Sequence, residues 1–414
     1  MQTARVATRG PDESTERPFS LRAIAVPVYG PSLLFGIGTG AVLPVVALSA
    51  RDLGASFGTA ALVVGMQGAG LLIGDLPAGA LTARIGERRA MVGAAVLTAA
   101  AMVVCLLAPS LPVLAAGILT SGLASSVWGL ARQSYLTEAV PIGMRARALS
   151  TLAGLTRVGT FVGPFLGAAL AGVVGTDAGY LLNLGTAAVA AVILVLLPEV
   201  EAEPRGAPGP RPSLAAVVRE HRHVLATLGL AALMVMAVRQ TRQSVLPLWC
   251  DHIGLDAAQT SLIFGLSGAV DMLLFYPAGS LMDRFGPASV GIPSMLVLAA
   301  SYAVLPLAGT VPWVIAVAVL MGVGNGLGAG LVLTLGANAS PQVGRQAFLG
   351  AWRLVSDLGK ASGPLAVSAV AAVTSLAGAS VVMGGVGVLA AAALWHWASG
   401  AHVSREARPR PSPS

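Results

Sequence analysis

Asp75, Asp271 and Asp357, with Arg132, Arg157, Arg239, Arg242, Arg353 and Lys360, are ionisable side chains set inside stretches that are otherwise almost wholly apolar. Burying a charge in hydrocarbon is costly unless it faces a cavity or a partner, so such residues mark paths for substrates, ions or protons. A carboxylate in that position can take up and release a proton. Asp271, near the middle of its stretch, is the first candidate for proton coupling, and Asp357 is the second. Arg239 and Arg242 are three residues apart, which places both on one face of a helix. Facing a cavity, with Arg132 and Lys360 nearby, they would hold carboxylate, phosphate or sulfate groups through charge-assisted, bidentate contacts. Alternatively they reach outward to an aqueous vestibule near Trp249 by snorkelling.

The elements that carry these charges are long enough to cross a bilayer. With 55% apolar and 10% charged residues and a mean hydropathy of +0.80, the chain has too little polar surface for a soluble domain. Apolar runs of about 20 residues, enough for about 30 Å of hydrocarbon, fall near 24–48, 58–82, 90–108, 112–135, 148–172, 178–197, 223–249, 259–282, 288–308, 312–335, 347–373 and 378–397. The fold class expected is therefore an all-α integral membrane protein of twelve transmembrane helices. Between Pro198 and Arg222, three glutamates precede a run of prolines, a composition that reads as a flexible linker. The expected organisation is an N-terminal tail over 1–22, a six-helix bundle over 23–197, a linker over 198–222, a second six-helix bundle over 223–397 and a C-terminal tail over 398–414. The first tail mixes acids with arginines and lacks an apolar core of signal-peptide type, so the first run is expected to stay as a membrane helix. Placing both termini in the cytoplasm leaves Arg51 as the only loop arginine outside, which the positive-inside rule favours.

The two bundles repeat each other at an offset of 200 residues. Leu62, Gly65, Gly68, Pro77, Gly79, Leu81, Arg84 and Gly86 recur as Leu262, Gly265, Gly268, Pro277, Gly279, Leu281, Arg284 and Gly286, and Pro141, Arg145, Gly159, Gly163 and Pro164 recur as Pro341, Arg345, Gly359, Gly363 and Pro364. An unshifted duplication is a known transporter architecture, with an axis along the membrane normal. The segment Gly79 to Arg89, with Arg84, Gly86 and Arg88, resembles the G-x-L-x-D-R-x-G-R-[KR] loop of the major facilitator superfamily. Gly279, Asp283, Arg284 and Gly286 repeat it between the eighth and ninth runs. The first copy carries Ala83 where the family has an acid, whereas Asp283 keeps it. Gly159, Gly163, Pro164 and Gly167 resemble the G-x-x-x-G-P-x-x-G signature of proton-coupled antiporters in that superfamily. Glycines at this spacing also serve simple close helix packing, and Pro164 kinks a helix by removing a backbone hydrogen bond. Near Gly122, where such exporters place a membrane-embedded arginine four residues earlier, this chain has Ile118.

The resemblance implies that the second helix lies against the eleventh and the fifth against the eighth. Asp75 and Arg353 then fall at one depth, as do Asp271 and Arg157, which suggests two latches across the interface. Arg353 and Lys360 can equally pair with Asp357 along their own helix at i,i+4 and i,i+3.

Other chemistry is unsupported. No glycine-rich stretch leads to a Lys-Ser or Lys-Thr pair, so ATP is not the driver within this chain. Cys105 and Cys250 make neither a disulfide framework nor a metal site, and His221 and His223 lack thiolate or carboxylate partners at ligand spacing. No cofactor and no metal are expected, and the chain is not read as an enzyme. The net charge of +7 is read as loop charge facing an anionic leaflet rather than nucleic acid. The leading expectation is a monomeric exporter of small organic compounds in a plasma-type membrane, driven by proton antiport. An organic-anion or nutrient importer and a non-transporting binding or scaffold protein are the alternatives.

Overall fold

The computed structural model describes residues 28–140, 144–196, 218–341 and 344–398, and within them every regular element is a helix. The first span, α1, is two pieces, Gly30–Val42 and Val45–Asp52, bent by 42°; Pro44 sits at the break. Next come α2 (Phe57–Ile85), α3 (Glu87–Leu106), α4 (Leu111–Ala139), α5 (Arg145–Val174) and α6 (Asp177–Leu196). The second series is α7 (Arg222–His252), α8 (Ala257–Phe285), α9 (Pro287–Leu307), α10 (Val311–Ala339), α11 (Arg345–Val373) and α12 (Leu376–Ala398). The tails 1–22 and 399–414 lie outside the described residues, as does 198–217 of the expected linker; its remainder is a helical turn leading into α7.

Local chemistry sets the boundaries. The Ser56 hydroxyl caps α2 by accepting from the Thr59 amide at 3.1 Å, and Asp256 caps α8 in a reciprocal box with Gln259. Both helices end at a glycine with positive φ, Gly86 at 85° and Gly286 at 84°, a conformation in which a side chain would clash. α10 breaks between Leu327 and Leu331, with Gly330 in the left-handed region.

Among the described residues, ten helices are long and apolar enough to cross a membrane, and the bent pair makes eleven. The remaining one, α11, has the same 29 residues as α2. Its hydropathy falls because Arg353, Asp357 and Lys360 sit within one stretch of it. The chain is thus a multi-pass, all-α membrane protein of twelve long helical spans.

Packing follows the repeat. α1 lies on α5, α2 on α4 and α3 on α6; in the second series α7 lies on α11, α8 on α10 and α9 on α12. Glycines permit the closest of these approaches. A Cβ at Gly159 would sit 2.5 Å from the Leu33 carbonyl oxygen of α1, and one at Gly359 would sit 2.5 Å from the Leu233 oxygen of α7. Gly163 meets Ile37, Gly363 meets Ala237, and Gly167 faces Ala41 at ordinary contact distance. The glycine–proline pattern is therefore a packing surface in both series. Between the series, α2 meets α11 and α5 meets α8, and the ends of α1 and α2 meet α7.

Candidate functional site

A cavity lies between the two series in two lobes of about 440 Å³ and 400 Å³. Leu43, Arg132, Thr156, Thr160, Gln240 and Gln243 line both, so the lobes join. Their combined size suits a drug-sized molecule.

The larger lobe gathers charge from four helices and an amide from a fifth. Arg132 comes from α4, Arg157 from α5, Arg239 and Arg242 from α7, Asp271 from α8, and Asn325 from α10. Both α7 arginines therefore face the cavity; the route outward past Trp249 is not taken, and that indole donates to the Ala308 carbonyl at 2.9 Å. Arg132 donates to Thr156 Oγ1 at 2.7 Å, Arg239 to the Asn325 carbonyl at 2.8 Å and Arg242 to Ser267 Oγ at 2.8 Å. These contacts leave donors over. Arg132 Nε, Arg157 NH1 and Arg242 Nε are buried without an acceptor among the described residues. Buried polar groups are seldom left so, and an orphaned donor costs about 1–3 kcal/mol, more when charged. The Arg242 side chain is only 10% exposed.

Asp271 corrects one expected pair. Its nearest cation is Arg242 of its own series, with NH2 3.8 Å from Oδ2, and the same oxygen accepts from Asn325 Nδ2 at 2.5 Å. Arg157 instead lies over the Phe275 ring, 4.1 Å from its centroid. Matching depths along two helices left the azimuth of each side chain open, and Arg242 on the neighbouring helix reaches Asp271. The second carboxylate oxygen, Oδ1, is buried and has no partner among the described residues.

The smaller lobe is more apolar. Phe35 and Trp128 stack on its wall with centroids 4.4 Å apart and planes 6° from parallel. Lys360 reaches it from α11.

At the α2–α11 contact, Arg353 NH2 donates to Asp75 Oδ1 at 3.0 Å and its Nε lies 3.4 Å from Asp357 Oδ2. Lys360 Nζ lies 2.5 Å from Asp357 Oδ1. Both arrangements read from the sequence, across the interface and along the helix, coexist on one guanidinium. Ser126 of α4 also donates to Asp75. Asp357 is 1% exposed and Asp75 6%, whereas Arg353 and Lys360 are 37% and 33% exposed. Asp75 lies ten residues from the end of α2 and Arg353 eight from the start of α11, depths of about 15 and 12 Å.

The residues expected in inter-helix loops sit apart from the cavity and are mostly helical, on the last turns of α2 and α8 and the first turn of α3, with Gly86 and Gly286 as the breaks. Gly79 lies near Leu130, and a Cβ at Gly279 would meet nothing. Arg84, Asp283 and Arg284 are exposed, with Arg284 over the Phe285 ring at 5.1 Å. Arg88 donates to the Leu194 and Val195 carbonyls, closing the last turn of α6.

One contact escaped the sequence reading. Where α1 and α7 end, Arg51 Nε lies 2.8 Å from Asp251 Oδ2, its guanidinium covers Phe57 at 4.2 Å, and it donates to the Ala55 carbonyl. His252 meets the Phe57 ring edge-on at 5.6 Å. Arg51 and Asp251 are themselves 200 residues apart, and the offset that exposed the repeat was the available signal.

A sequence model described as Major Facilitator Superfamily matches residues 32–342 and again 228–414. No curated protein sequence matches. Among solved structures, the chain is similar to a mutant of the nucleoside transporter NupG, with a TM-score of 0.76 and 13% identity over 90% of this chain and 99% of that one. It also resembles a bacterial homolog of the human lysosomal transporter Spinster, in an inward-facing and unoccupied conformation, at TM-score 0.73 and 14% identity over 95% and 100% of the two chains. A D-xylose-proton symporter aligns with TM-score 0.67 and 18% identity over 91% and 97%. At these identities the likeness speaks to the fold.

Proposed function

This chain belongs to the major facilitator superfamily of transporters, and from that premise we propose that it is a proton-coupled secondary transporter that exports small organic compounds by alternating access. The observation that carries the coupling is Asp271. It is an acid on the cavity wall, with one carboxylate oxygen unpartnered and its nearest cation at 3.8 Å, so it is placed to exchange a proton with whatever fills the cavity. Asp357 is the second candidate; it does not line the cavity and is held between two cations. The signature on α5 supports the outward direction.

With both termini in the cytoplasm, the Arg51–Asp251 end faces outside and is closed, while the Asp75–Arg353 contact ties α2 to α11 in the inner half. We read both as contacts that break and reform as the two six-helix bundles rock. The segments Gly79–Arg88 and Gly279–Gly286, which are the last turns of α2 and α8 with the glycine breaks at Gly86 and Gly286, follow this motion.

A second reading is favoured by Arg242. A proton on Asp271 would release Arg242 to an anion, so proton and anion would bind together, which is the linkage of an organic-anion importer rather than an antiporter. Everted membrane vesicles acidified inside, offered matched cationic, neutral and anionic dyes, separate the cases. An exporter accumulates a dye only while the gradient stands, and an importer of the symport type drives it out. A facilitator equilibrates it regardless, and a binding protein does none of these; either of the last two results ends the proposal.

A further inference from the structure

We infer that the two lobes form one site for an organic anion, its carboxylate or similar oxyanion head held among Arg132, Arg157 and Arg242 and its aromatic body lying against the Phe35–Trp128 wall. The inference rests on the transport reading and gives it a substrate class. Four arginines and one aspartate line the larger lobe, so the cavity carries a positive excess that the described residues do not neutralise. Three of those guanidiniums, from three different helices, each hold back a buried N–H with no acceptor. Arginine has donors only, so the group that completes them is an acceptor, and in this charge balance an anion. Asp271 does not fill that role: none of the three donors has it as an acceptor, and the Arg242 guanidinium comes only to 3.8 Å of it through another nitrogen, beyond hydrogen-bond reach. Arg157 lies over Phe275, a contact that uses the guanidinium face and leaves its N–H edge free.

The shape of the cavity sets the rest of the molecule. Arg132 lines both lobes and marks the junction of head and body. Beyond it the wall is Phe35, Trp128, Leu43, Val64 and Leu71, and the Trp128 indole N–H is buried without a partner. Inorganic phosphate or acetate would occupy the arginine lobe and leave about 400 Å³ empty. A flat aromatic body with one acceptor would fill it.

The test is binding without any gradient, by titration calorimetry on the intact chain in a neutral detergent. The probes are 3-phenylpropionate, its amide, 3-phenylpropylamine, acetate and inorganic phosphate. The carboxylate is expected to bind at least tenfold more tightly than its amide or the amine, and at least tenfold more tightly than acetate or phosphate. Arg157→Gln with Arg242→Gln should remove that preference. Equal or tighter binding of the amine overturns the anion site, and equal binding of acetate and phenylpropionate overturns the second lobe. An unchanged preference in the double variant overturns the assignment of the head group, and the wild-type series stands even where the variant does not fold. Binding with no movement in vesicles would sink the transport reading alone, and gradient-driven movement of cations would sink this one alone.

Discussion

Positions 75 and 357, at the α2–α11 contact, recur in the repeat as 275 and 157 at the α8–α5 contact, and the two contacts are held by different forces. At the first, Asp75 and Asp357 share the Arg353 guanidinium at 3.0 and 3.4 Å, with Lys360 closing the set. At the second, the equivalents are Phe275 and Arg157, and the ring takes the cation at 4.1 Å. A cation–π contact contributes about 0.5–2 kcal/mol and consumes no N–H. Two acids balance two bases at α2–α11, so that contact carries no net charge, although Lys360 also reaches the smaller lobe. At α5–α8 the arginine stays chemically open toward the cavity. Duplication supplied one backbone arrangement, and unequal substitution made one copy a tie and the other a wall of the site.

The largest effect should come from breaking the balanced copy. Asp357→Asn leaves Arg353 and Lys360 to share Asp75, an uncompensated charge beside a side chain that is 1% exposed. Removing one partner of a fully buried pair costs about 3–5 kcal/mol. Because Arg353 is 37% exposed, solvent screening brings the expected loss to about 2–3 kcal/mol. Denaturant unfolding in detergent reads this directly, and a midpoint equal to wild type would mean the network does not hold the interface. Asp75→Asn should cost less, since Arg353 keeps Asp357. Exchanging Asp75 with Arg353 should not restore stability, because it sets a carboxylate at 353 against Asp357.

Converting the open copy toward the balanced one is the next test. Phe275→Asp gives Arg157 an acid at the position Asp75 holds in the other contact. Affinity for an aromatic carboxylate should then fall at least tenfold while unfolding changes little, since Arg157 already lies against position 275 and pairs with the new acid. Unchanged affinity would show that Arg157 contributes no donor to the site.

The sequence made the backbone of this comparison legible and left its side chains half-read. Twelve runs, the glycine turns at Gly86 and Gly286 and the repeat all follow from hydropathy and residue type. Asp75 falls opposite Arg353 because both lie a fixed rise from a helix end. Asp271 and Arg157 match in rise too, but rise carries no azimuth, and the spacing of Arg242 from Arg239 shows the face they share and not the acid that one of them meets. Asn325 and Ser267, which orient Asp271 and Arg242, carry no charge and so gave no signal. Phe275 reads as lipid-facing until the repeat sets it against Asp75.

Asp271→Asn tests how the open copy is coupled. In the wild type a proton on Asp271 removes the charge that competes for Arg242, so carboxylate binding that tightens as pH falls marks the importer linkage, and binding that weakens marks the proton–substrate competition of the proposed exporter. The asparagine should bind with the acid-form affinity at every pH, so the pH dependence flattens, with a change of about tenfold at the alkaline end. Gradient-driven movement should be lost while exchange at equal pH persists. A pH profile identical to wild type would move the proton site elsewhere, with Asp357 next in line.

The smallest effect belongs to the contact in which the repeat meets itself. Arg51 and Asp251 occupy one place in the two series, and their pair is partly solvated, with side chains 30% and 27% exposed. Pairs of that kind contribute about 0.2–1 kcal/mol, enough to shift a two-state equilibrium up to about fivefold and too little to disturb folding. Thr160 lines both lobes, so a Thr160→Cys background labelled from outside by an impermeant maleimide reports that shift. The two native cysteines are buried. Arg51→Gln and Asp251→Asn should each raise labelling about two- to fivefold, and the double variant no further, because each single change already removes the whole contact. Additive effects would mean that Arg51 acts through Phe57 and the Ala55 carbonyl, holding its own series together rather than closing the gap between the two.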